Sequence, residues 1–168
     1  MGVYTMMPLF LVTEIGIERE LANTYIGFSR VFGIPILFLS GLLTDRLGAK
    51  KAMTLFLSAT GVFTFLLGFF SGPAITPVLL FLQAASVACL FPIGFTIMSL
   101  SFPSPLRSVA VSLVVFVGFL LGAGAIPAAI GHWAEVFSFS SGFTLLGILF
   151  LALLPLFLRL VKQPSALE

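Results

Sequence analysis

The sequence predicts an all-α membrane protein, a six-helix transmembrane bundle whose first helix is truncated. Two observations carry this. Hydrophobic residues make up 60% of the 168, charged residues only 8%, and the mean hydropathy is +1.22. A soluble domain carries about 25% charged residues, so this chain could not cover a water-facing surface. Long apolar runs also alternate with short polar breaks, at a spacing that suits helices of about 20 residues.

Taken in order, span one covers about 1–14. Only about 13 residues precede Glu14, short of the ~20 that cross a hydrocarbon core. The stretch has no Lys or Arg before it, which argues against a secretory signal. A polar outer loop from Glu14 to Asn23 follows. Span two, about 22–43, ends at Gly41-Leu42-Leu43-Thr44-Asp45-Arg46-Leu47-Gly48-Ala49-Lys50-Lys51, which reads as a tight loop. Span three, about 51–71, closes at the breaker Ser71-Gly72-Pro73. Span four, about 77–100, stops at Phe102-Pro103-Ser104-Pro105. Span five covers about 108–130, and His132 to Ser141 is expected at the membrane interface. Span six, about 142–158, is nearly all Leu and Phe, and residues 163–168 form a short tail.

Six spans place both termini with the loops at 44–51 and 101–107. That side holds Arg46, Lys50, Lys51, Arg107, Arg159 and Lys162, whereas the other holds Arg19 among Glu14, Glu18 and Glu20, with Glu135 beside His132. The asymmetry predicts cytoplasmic termini in a cell membrane.

The loop carries a resemblance. Gly41, Leu43, Asp45, Arg46, Gly48 and Lys50 resemble the G-x-L-x-D-R-x-G-x-K loop of the major facilitator superfamily of secondary transporters. That loop lies after the second span and recurs more loosely after the eighth, and Ala49 suits the looser form. The resemblance implies half of a twelve-helix fold, helices seven to twelve. It also implies a small-molecule substrate held at the bilayer midplane, and a missing N-terminal six-helix half or a second copy as partner. In this reading Gly41, Asp45, Arg46, Gly48 and Lys50 form a conformational latch, with Arg107 as a possible counter-charge for Asp45. The open alternative is a plain topology determinant. A second alternative for the whole chain is a non-transporting six-span fragment or subunit.

Arg30 stands out among the span residues. It lies about 12 Å below the outer surface at 1.5 Å per residue, where an arginine costs at least ~2.5 kcal/mol unless something receives it. A planar guanidinium suits a carboxylate or other oxyanion. In several branches of the resembling family an arginine in the eighth helix is associated with anions. The alternatives are an ion pair with Glu14, or snorkelling to the surface. Tyr4 on span one and Ser29 beside Arg30 offer hydrogen bonds, and Gln83 on span four is a neutral cavity candidate. The first reading for each alone is interhelical glue, and ligand contact is the alternative. Glu14 is expected as a solvated helix-end charge or a proton-coupling acid. Gly118-x-x-x-Gly122 and Pro127 on span five read as a helix-packing seam.

Other classes have little support. One His, one Cys and no pair of intramembrane carboxylates leave no basis for enzyme or metal chemistry, and a net charge of +2 is too small to suggest nucleic acid. No cofactor is expected. Proton-coupled symport or antiport of a small organic or inorganic anion across the lipid bilayer is the leading expectation.

Overall fold

The computed structural model describes residues 2–70 and 72–161. Met1, Ser71, Lys162 and the 163–168 tail lie outside the described residues. Seven helical segments follow one another: α1 (Gly2–Thr13), α2 (Arg19–Leu47), α3 (Ala49–Phe69), α4 (Thr76–Ser101), α5 (Ser104–Phe119), α6 (Ile126–Val136) and α7 (Phe139–Leu160). A π-helical stretch, Leu120–Ala125, joins α5 to α6, so that Ser104–Val136 is one unbroken helix of 33 residues. Five of these stretches are long and apolar enough to cross a membrane, and α1 is the short sixth. Helices satisfy every backbone group internally, the condition for standing in lipid.

The hydroxyls obey the same condition. Ser40, Thr44, Thr64, Ser86 and Thr96 each donate to a carbonyl three or four residues back in their own helix, at 2.7 to 3.0 Å. These hydroxyl protons are therefore satisfied within their own helices.

Three expectations need correction. The Gly41–Lys51 stretch is helix, not loop: α2 runs through Asp45 and Arg46 to Leu47, and α3 begins at Ala49. A single residue makes the break. Gly48 has φ 85° and ψ 150°, a conformation that costs other residues steric strain, and its N–H still closes on the Thr44 carbonyl at 2.9 Å. The outer loop is likewise shorter than Glu14 to Asn23, because α2 starts at Arg19. Gly16, at φ 75°, turns the chain there, and the Ile17 N–H reaches back to the Leu11 carbonyl at 2.9 Å. Finally, His132–Val136 continues the fifth transmembrane helix, and the break falls at Phe137–Ser138.

α3 is the hub, packing most extensively on α7 and then on α4, which also carries α2. The α3–α7 contact depends on missing side chains. A Cβ on Gly147 would meet the Phe65 backbone, one on Gly68 would meet the Ser140 carbonyl, and one on Gly61 would lie 3.0 Å from Leu151 Cγ. Small residues let two backbones approach where lipid supplies no hydrophobic drive. The expected Gly118-x-x-x-Gly122 seam does not do this within the chain. A Cβ on Gly118 would meet nothing within 4 Å, and neither α5 nor the π-helical stretch buries a residue. Gly118 and Gly122 instead line an apolar cavity of about 250 Å³ shared with Leu90, Phe91 and Gly94 of α4. Pro127 is buried in α6, which packs on α1 and α7.

The largest buried cluster joins α1 to the rest. Met7, Phe10 and Leu11 are fully buried with Leu67, Leu80 and Phe143. Phe10 and Phe143 meet edge to face, with ring centroids 5.0 Å apart. This cluster holds α1 close against the bundle. Cys89 is buried as a small side chain, its Sγ 3.5 Å from the Ile36 carbonyl.

Candidate functional site

Tyr4, Ser29 and Arg30 come together where α1 meets α2. Ser29 is fully buried, and its Oγ donates to the Ile26 carbonyl at 2.7 Å. A hydroxyl has one proton, so the 3.0 Å contact between Ser29 Oγ and Tyr4 Oη is a bond donated by the tyrosine. This crosses between helices, unlike most span hydroxyls. The Arg30 guanidinium lies over the Tyr4 ring, 5.7 Å from its centroid, a cation–π arrangement. From Arg19 to Arg30 is eleven residues, which sets the arginine about 16 Å along α2.

Arg30 is exposed and makes no ion pair among the described residues. The pairing with Glu14 is not made. The Glu14 carboxylate instead accepts from the backbone N–H of Phe139 and, at 3.0 Å, of Ser140, and from the Ser140 hydroxyl at 2.6 Å. It therefore serves as a remote cap for α7 while remaining exposed at the end of α1, the helix-end placement expected of it, with three donors on its carboxylate. Free N–H groups at a helix start, with the dipole behind them, favour a carboxylate. Ser138 caps the same helix, accepting from Ser141 N–H at 3.1 Å. The cue in sequence was Ser138 just before an apolar run, but nothing in it pointed back 125 residues to Glu14.

Gln83 lies elsewhere. It is 2% exposed, between α4 and α3, with Nε2 3.4 Å from Thr64 Oγ1. Its Oε1 and the Thr60 hydroxyl oxygen are buried without a hydrogen-bond partner among the described residues. No hydrogen bond joins this polar spot to the Tyr4–Ser29–Arg30 group among the described residues.

The latch candidates cluster at the opposite end of the bundle. Gly41, Asp45, Arg46 and Arg107 are exposed, and no Asp45–Arg107 pair forms among the described residues, where the ion pair is His132–Glu135 at 3.6 Å. Lys50 is engaged, its Nζ donating to the Leu158 carbonyl at 2.8 Å.

Residues 1–168 match the Major Facilitator Superfamily. The chain belongs to that family. It is 29% identical over 146 residues to the cis,cis-muconate transport protein of Acinetobacter baylyi, covering 87% of this chain and 35% of the relative. It is 38% identical over 63 residues to sugar efflux transporter A of Dickeya chrysanthemi, covering 37% of this chain and 16% of the relative. The chain thus spans about a third or less of the curated relatives it matches. No solved structure matches it significantly. As a facilitator-family bundle with five full apolar spans, it is an integral membrane protein.

Proposed function

We propose that this chain is the C-terminal half of a secondary transporter for a small organic anion, and that Arg30 binds the anion. The observation that carries the reading is an exposed arginine deep in an apolar span with no carboxylate partner among the described residues. Leaving that charge uncompensated in a membrane is costly. A substrate carboxylate would compensate it through paired N–H donors. Tyr4 flanks the guanidinium with its ring, and the buried Ser29 holds the tyrosine hydroxyl in place. The relative named for cis,cis-muconate, a carboxylate, favours this class over a neutral sugar.

The cavity is completed by a six-helix half outside this chain, or by a second copy. The unburied, apolar α5 and π-helical stretch support that arrangement. The Lys50 contact brings the start of α3 beside the end of α7. Arg46, Lys50, Lys51 and Arg159 so gather at one end of the bundle, and the positive-inside bias makes that end cytoplasmic. Transport is driven by protons, and Asp45 with Arg107 latches the cytoplasmic side in a different conformation.

Competition tests the substrate class. In cells expressing the assembled protein, labelled cis,cis-muconate uptake should be inhibited by unlabelled dicarboxylates, but not by their amides or by sugars. It should also respond to an imposed pH gradient. Inhibition by sugars alone would refute the anion reading.

A further inference from the structure

The Glu14 cap answers a mechanical need of α1. α1 ends at Thr13, and Glu14 is the residue that follows it. The buried contacts of α1 through Met7, Phe10 and Leu11 are apolar, and such contacts hold a helix close without fixing its register. The Glu14 bonds are directional. Two backbone N–H groups and the Ser140 hydroxyl converge on one carboxylate just past the end of α1. Because Phe139 and Ser140 are the first residues of α7, the cap joins the outer end of α1 to the outer end of the last span. Ten residues separate Glu14 from Tyr4, about 15 Å of a stiff rod. Setting one end of that rod sets where the tyrosine stands against Ser29 and Arg30.

We propose that Glu14 is a positioning residue for the Tyr4–Ser29–Arg30 group: its clamp on the α7 N-terminus fixes the register of α1 and so seats Tyr4 on α2. The affinity consequence rests on the anion reading above, whereas the geometric one does not. Lost ionic hydrogen bonds let α1 turn or slide, so the Tyr4 contacts are made for less of the time. Substrate affinity falls, and turnover, governed elsewhere, is kept.

Two measurements on the full assembled protein in liposomes test this. Spin labels at Leu9 on α1 and Phe38 on α2, both exposed, report the helix pair directly in a Cys89→Ala background. Glu14→Gln should clearly broaden the inter-label distance distribution, and Ser140→Ala should broaden it less. In the same variants the KM for cis,cis-muconate should rise about fivefold to tenfold for Glu14→Gln, with the maximal rate within about twofold. Adding Tyr4→Phe should cost little more than the worse single change. An unchanged distance distribution in Glu14→Gln overturns the clamp, whatever happens to uptake. Broadening without a KM change, where Arg30→Ala abolishes uptake, overturns the positioning role. If Arg30→Ala leaves uptake intact, the anion reading fails separately and the distance distribution alone decides the clamp.

Discussion

Lys50 Nζ donates to the carbonyl of Leu158 at 2.8 Å, so a cation of the Gly41–Lys51 stretch closes the C-terminal end of α7. Glu14 closes the other end. An anion at the start and a cation at the finish both complement the helix dipole, and both come from outside α7. α7 is thus a strut fastened to α1 on one side of the membrane and to α3 on the other.

Replacing Lys50 should loosen the lower fastening. Lys50→Ala is expected to lose about 0.5–1 kcal/mol of stability, read as a lower midpoint in thermal unfolding in detergent. Lys50→Arg, which still donates, should lose less. Equal losses in the two variants would show that the Leu158 bond contributes nothing.

Gly147 and Gly118 make a contrasting pair. A Cβ at Gly147 would meet the Phe65 backbone, whereas one at Gly118 meets open space. Gly147→Ala should destabilise by roughly 1–3 kcal/mol, the usual cost of overpacking. Gly118→Ala should leave unfolding of this chain nearly unchanged. The same thermal scans decide it, and a reversed order would contradict the α3–α7 packing.

Gly48 is held by backbone geometry alone. Its φ of 85° lies where side chains are strained, although no atom would crowd a Cβ. Gly48→Ala should cost about 1–3 kcal/mol. Gly41→Ala, in a helical residue with equal room, should be neutral or mildly stabilising.

Asp45 is exposed in this conformation, so its removal should spare the fold. Asp45→Asn should leave the unfolding midpoint of the assembled protein in place and slow its uptake severalfold. Normal uptake at normal expression would remove the latch.

The spans were legible in sequence because lipid demands uniform apolarity. Their ends were not, because hydropathy marks where a chain leaves lipid and not where its hydrogen bonds stop. Asp45 and Arg46 leave the apolar run yet continue α2. Arg30 was legible through its cost, and its neighbour Ser29 through adjacency. Tyr4 was a separate hydrogen-bonding candidate on span one, and its place against Ser29 and beneath the guanidinium required the structure. Gly118 and Gly122 showed the familiar small-residue spacing, yet a Cβ on Gly118 would meet nothing within 4 Å. Gly68 and Gly147 carried no such spacing and yet form the tight contact. Which helices meet is a tertiary fact. So is Glu14 on Phe139.

Uptake by Arg30 variants tests the central claim most directly. With the assembled protein at matched expression, Arg30→Ala should abolish cis,cis-muconate uptake. Arg30→Lys should restore only part of it, because an ammonium keeps the charge and loses the paired donors. Normal uptake in Arg30→Ala would contradict anion recognition at this site.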